Sequence, residues 1–159
     1  MNRHAGLRAQ GLGLVLLAAT ACAPAPLTDK TPKAGGEMSR AVVDPYLKIQ
    51  AALSDDSMDG VTQHAGEIAT ASSALGAPAM KIDTAAVQLA STSEIDRARE
   101  KFGDLSEAID TYMTGLKLRA PEGVKLAFCP MVHKPWLQTA STIDNPYFGK
   151  SMLTCGSFR

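Results

Sequence analysis

From residue 42 onward, apolar positions recur in alternating steps of three and four, the spacing that lines one face of an α-helix. Asp44 followed by Pro45 reads as an N-cap and a first-turn proline, with Tyr46, Ile49 and Leu53 on one side and a break at Asp55-Asp56. This predicts a first helix of about three turns. A second is expected from Met58 to Leu75, where Val61, Ala65, Ile68, Ser72 and Leu75 share a side and Gly76-Ala77-Pro78 stops the run. A shorter, alanine-rich helix is expected from Thr84 to Ala90. The longest stripe comprises Ile95, Ala98, Phe102, Leu105, Ile109, Tyr112 and Leu116, with Ser93 placed to cap it and Asp96 three residues on. No alternating strand pattern interrupts residues 40–118. Short connections make neighbouring helices antiparallel, so the expected fold class is all-α, a small up-and-down antiparallel bundle of three to four helices.

The stripes end too soon for a coiled-coil dimer and read as core. Met58 and Met113 read as gap-filling apolar residues, and His64, beside Val61 and Ile68, as a boundary residue of the stripe. Composition then changes at Ala120-Pro121. Five of the eight aromatic residues (Phe128, Trp136, Tyr147, Phe148 and Phe158) follow, together with Cys129, Cys155, Met131 and Met152. The expectation is an aromatic- and sulfur-rich C-terminal segment packed on the bundle.

The 159 residues allow one ordinary domain, and 16 Lys plus Arg against 16 Asp plus Glu supply no net charge to attract nucleic acid. Arg3 and Arg8, the apolar run from Leu12 to Ala19 and the small residues Thr20 and Ala21 read as an export signal over residues 1–21, with a run too short to span a bilayer. Cys22 follows the cut, as in a bacterial lipobox, where that cysteine is lipidated; Ala19-Thr20-Ala21 also satisfies an ordinary secretory signal. The first reading gives a lipid-anchored periplasmic protein, with Ala23 favouring the outer membrane by analogy. The second gives a soluble secreted one. Proline and glycine in residues 23–37 make a tether, so the expected division is signal peptide 1–21, lipidated or flexible linker 22–40 and helical domain 41–159.

With Cys22 consumed by lipid, Cys129 and Cys155 remain as an even pair in an oxidising compartment, and a disulfide between them would stabilise the fold by about 3 kcal/mol. The same sulfurs support a second reading. Pro130 pushes Cys129 toward extended geometry, where Cys129, Met131 and His133 would share one face. Asn145 and Pro146 would start a short helix that brings Met152 and Cys155 onto one face and ends at Gly156. Thiolate and thioether together select a soft ion such as Cu(I), whereas the CxxC pairing usual in a zinc site is missing.

The tripeptide Cys129-Pro130-Met131, then Trp136-Leu137-Gln138, then Asn145-Pro146-Tyr147-Phe148-Gly149 with Met152-Leu153 and Cys155-Gly156, resemble the DUF3347 family. The likeness runs from about Asp44 to Phe158 and includes Tyr46-Leu47 and the pattern of Arg99, Phe102, Leu105 and Ser106. That family occurs as stand-alone periplasmic proteins and as C-terminal extensions of periplasmic adaptors in copper and silver efflux. The resemblance implies heavy-metal binding, with Cys129, Met131, Met152 and Cys155 at motif positions. His133 lies outside the motif and rests on the alternation argument alone.

Two functions of different class follow. One is a periplasmic copper-binding module that buffers the ion or passes it to an efflux system. The other is a structural or partner-binding envelope lipoprotein with a Cys129–Cys155 disulfide and no metal. An enzyme is not expected, because no GxSxG, Gly-rich phosphate loop, HExxH helix or CxxC redox motif is present.

Overall fold

Four amphipathic stripes become four helices in the computed structural model, which describes residues 33–159. They are α1 (Arg40–Ser54), α2 (Val61–Ser73), α3 (Met80–Ala90) and α4 (Ile95–Gly115). Each packs on its neighbour in sequence through Val42, Val43, Ile49, Leu53, Val61, Ile68, Ile82, Leu89, Phe102 and Ile109, all at or near zero exposure. The expected signal peptide and Cys22 lie outside the described residues.

Burial moves several helix boundaries away from their local sequence signals. α1 begins at Arg40, before the Asp44-Pro45 pair, because Val42 and Val43 are drawn into the core; Pro45 lies inside the helix and Asp44 is not its cap. Ser39 occupies the N-cap position, and its carbonyl accepts from both Val42 N and Val43 N at 3.0 Å. α3 starts at Met80 rather than Thr84, fed by a short 3-10 turn at Ala77–Ala79 that carries Ile82 inward. Glu94, not Ser93, precedes α4, and no side-chain capping bond forms there. The folded body also reaches into the segment read as linker. Gly35 N donates to Leu116 O at 3.1 Å, Met38 N to Arg119 O at 2.9 Å, and Met38 is buried.

The all-α expectation needs correction beyond Leu118: the fold is helix-rich with a small antiparallel sheet. Strands β1 (Lys125–Cys129), β2 (Lys134–Gln138) and β3 (Ser157–Phe158) pair in the order β2-β1-β3. Leu126 faces Leu137 and Ala127 faces Trp136 on one side of β1, while Ala127 faces Phe158 and Phe128 faces Ser157 on the other. The strand signal in β1 is brief, and β2 is buried almost throughout, so it lacks the alternation by which strands are read.

A sheet this small is marginal alone and needs a helical layer beneath it. Aromatic rings make that junction. Tyr46 of α1 stacks on Phe102 of α4 at 4.8 Å between centroids, Phe102 meets Tyr147 at 6.1 Å, and Tyr147 meets Trp136 of β2 edge-on at 5.8 Å. Gly103 of α4 packs beside Tyr147 and the stem of Lys134. The phenol of Tyr46 adds a polar tie: it hydrogen-bonds with Ser106 Oγ at 2.6 Å and accepts from Leu137 N at 3.2 Å. Leu137 belongs to the edge strand β2, whose outward amides need partners from another layer. Burial raises the pKa of this phenol far above its ordinary value, so it stays protonated.

Tyr46→Phe keeps the ring stack and removes the acceptor for Leu137 N. Urea denaturation should show a loss of about 1–3 kcal/mol, because a buried amide is left unpaired. A variant as stable as the parent would show that the aromatic packing alone joins the layers.

Candidate functional site

Cys129 is the last residue of β1 and points inward, with zero exposure. The register that pairs Phe128 with Ser157 carries the incoming end of β3 alongside it, so the half-buried Cys155 arrives next to Cys129. The two cysteines are neighbours, one amide group of Asn145 reaching both the Cys129 sulfur and the Cys155 carbonyl, and both thiols are free. Burial, and then the neighbouring Cys129, raise the pKa of Cys155 above the ordinary thiol value. Two sulfurs from segments far apart in sequence therefore share one place at the end of the sheet.

The other expected ligands are differently placed. The chain does not stay extended after Cys129. Residues 130–133 form the turn of the β1–β2 hairpin, closed by His133 in the left-handed region at φ 55°. That turn breaks the alternation, so Cys129, Met131 and His133 do not share a face: Met131 is 63% exposed and His133 is also exposed, its ring edge-on to Phe128. The short helix expected from Pro146 to Cys155 shrinks to a 3-10 turn at Gly149–Ser151. Asn145 does not cap it: Phe148 occupies the N-cap position, and Asn145 Oδ1 instead accepts from Tyr147 N at 2.8 Å within the preceding turn. Met152 follows the turn in an exposed position, and its carbonyl accepts from Cys155 N at 3.0 Å. Among the described residues, no three His, Cys, Asp or Glu side chains converge as a metal-holding group. The sulfurs present are a free thiol pair, with two exposed thioethers on the segments that carry it.

Several side chains fix this arrangement. Asn145 is fully buried, and its Nδ2 donates to Cys129 Sγ at 3.3 Å and to Cys155 O at 2.6 Å. Gln138 builds the loop that leads to Asn145: its Oε1 accepts from Trp136 Nε1 at 2.8 Å and Asp144 N at 3.1 Å, and its Nε2 donates to Thr142 O at 2.6 Å. The carbonyl of Asp144 in turn accepts from Gln50 and Ser54 of α1 at 2.9 and 3.1 Å. Gly156 lies where a Cβ would come within 2.6 Å of Trp136 Cη2, so only glycine lets the chain pass the indole directly after Cys155.

Arg99 anchors the loop from the opposite side. Its guanidinium donates to Leu53 O at 3.1 Å, to Pro146 O at 3.2 Å and to the Asp56 carboxylate, while Asp56 also accepts from Lys150 N at 3.3 Å. One arginine thus satisfies a C-terminal carbonyl of α1 and holds the 146–150 turn on α4. Gly149 has φ 52° beside this ion pair, and a Cβ there would overlap Asp56 and Arg99. Arg99 and Ser106 had no assigned role in the sequence reading, and Phe102 was read only as core. Their signal was the i, i+3, i+4 spacing that places them toward one side of α4, where they meet the 146–150 turn, the aromatic junction and Tyr46.

Gly149→Ala should lower stability by at least about 1 kcal/mol in chemical denaturation, from left-handed strain and displacement of the Arg99 clamp. The clamp also predicts an acid limb. The Arg99 guanidinium holds the Asp56 carboxyl below its ordinary pKa, so the stabilisation is present above the unfolded carboxylate value and lost as pH falls through the folded one. Asp56→Asn should flatten that part of a stability-against-pH curve, and an unchanged acid limb would remove Asp56 from the account. No family model, curated protein or solved structure matches the chain.

Proposed function

We infer that this protein is an exported soft-metal-binding module whose centre is the thiol pair Cys129 and Cys155. The observation that carries the reading is the meeting of those two thiols at the end of the sheet, one buried and one half-exposed. Two thiolates are a sufficient and selective donor pair for Cu(I), a polarizable ion that tolerates low coordination, and they fit no hard cation. Met131 and Met152 supply thioethers on the solvent side of the same two segments, where they would capture the ion before the thiols take it. His133 has no part in this centre. Loading displaces the thiol protons, and no electron is transferred.

On the resemblance to DUF3347 domains, such a module would work in the periplasm, held by lipid on Cys22, where it would buffer copper or pass it to an efflux adaptor. No helix among the described residues is long and apolar enough to cross a membrane, so anchoring rests on the Cys22 reading. A second reading is favoured by the same adjacency: oxidation of the pair to a disulfide gives a structural or partner-binding lipoprotein without metal. Counting free thiols in protein isolated without reductant separates the two.

Under reducing conditions, titration against a chromogenic Cu(I) chelator should give one ion per chain. Cys129→Ser or Cys155→Ser should weaken binding by more than about 100-fold, beyond the loss typical of an outer-shell change. Met131→Leu and Met152→Leu should slow uptake more than they weaken it, and His133→Ala should change neither. Equal uptake by the parent and the double cysteine variant, or by reduced and disulfide-bonded protein, would refute the assignment.

A further inference from the structure

The geometry points to Asn145 as the positioning residue of the thiol pair: its one amide group holds the Cys129 sulfur and the Cys155 backbone together and donates to the sulfur that takes up the ion. This rests on the metal-binding reading for its purpose, but its geometry stands without metal. Cys129 ends β1 and Cys155 precedes β3, and the two strands pair only at Ala127 with Phe158 and Phe128 with Ser157. A two-residue ladder is a weak constraint on the chain beyond it. Cys155 N donates within its own turn, to Met152 O at 3.0 Å, so the link between its backbone and the Cys129 side must come from elsewhere.

Asn145 supplies that link, and each of its polar groups is engaged. Nδ2 carries two diverging hydrogens, one on Cys129 Sγ at 3.3 Å and one on Cys155 O at 2.6 Å. Oδ1 accepts from Tyr147 N at 2.8 Å, the backbone N donates to Leu153 O at 2.7 Å, and the backbone O accepts from Gly149 N at 3.1 Å. A primary amide is the side chain that offers two donors and an acceptor from one planar group. Aspartate in the same shape keeps the acceptor for Tyr147 N and loses both donors. A neutral thiol is a weak acceptor and a metal-bound thiolate a strong one, so the bond to Cys129 strengthens when the ion binds. The partner of a metal ligand's free lone pair orients that ligand and tunes its donor strength.

The test uses the full chain with Asn145→Asp and Asn145→Ser, the serine keeping one donor in a smaller, uncharged side chain. Fluorescence of Trp136, the single tryptophan, reports folding of each. Without metal, the Cys129–Cys155 disulfide is equilibrated with glutathione: two thiols give up two protons and two electrons to one glutathione disulfide, releasing two glutathione thiols. Folded Asn145→Asp should form the intramolecular disulfide at least about tenfold less favourably, with Asn145→Ser between it and the parent. With Cu(I), affinity should fall about 10- to 100-fold, and the ultraviolet sulfur-to-copper charge-transfer band should move to lower energy as the thiolate loses its donor. Loss of global stability alone would not shift that band in folded protein. Should Asn145→Asp fail to fold, Asn145→Ser carries the same comparisons. Parental disulfide equilibrium in a folded variant would overturn the proposal. A parent chain that binds no Cu(I), with a thiol equilibrium that still responds to Asn145, would refute the metal-binding reading and leave the positioning role standing.

Discussion

The tertiary structure depends on a column of aromatic rings that joins two layers neither of which is complete alone. Tyr46, Phe102, Tyr147 and Trp136 run from α1 through α4 and the 146–150 turn to β2. Helices α1 to α4 leave an aromatic face on α1 and α4, and the three short strands have one inner face to bury. Rings are suited to the junction because they cover large area with few rotatable bonds and carry polar tips for edge groups. Tyr46 takes the outward amide of Leu137, and Tyr147 donates from its hydroxyl to Pro135 O. Both strand-edge groups are thereby satisfied from the helical side.

The thiol pair is a consequence of this junction. Trp136 packs where the chain passes at Gly156, and Asn145, next in sequence to the Asp144 that Gln138 holds, bonds to both cysteines. Charged groups secure the periphery: Arg99 with Asp56 holds the 146–150 turn, and Lys134 bridges to Asp104 and Glu107 on α4. Most of the residues named around the sheet thus have a structural task. Tyr46, Phe102, Ser106, Trp136 and Tyr147 build the junction, Arg99 and Gly149 fix the 146–150 turn, and Gln138 and Asn145 order the loop beside the two cysteines.

Strand pairing also explains why Cys129 and Cys155 come together while Met131 and His133 lie apart. The two cysteines flank strand pairing and inherit its register. Met131 and His133 occupy a hairpin turn, where direction is set by turn geometry instead of by alternation, and His133 adopts a positive φ to close it. Met152 follows a 3-10 turn that ends too early to place it by helical spacing.

All four helices were legible in the sequence because each writes its own signal: an apolar stripe repeats over several turns and needs no distant partner to be recognised. The concentration of aromatics and sulfurs after Ala120 was legible in the same way. The sheet was not, because β2 is buried on both faces and so lacks a period-two pattern, and β3 is two residues long. Helix starts at Arg40 and Met80 were set by burial of Val42, Val43 and Ile82 against local capping signals. The meeting of Cys129 with Cys155, and the single amide that spans them, belong to tertiary structure alone. A contact between residues far apart along the chain is decided by strand register and packing, and neither is encoded in the spacing of either segment.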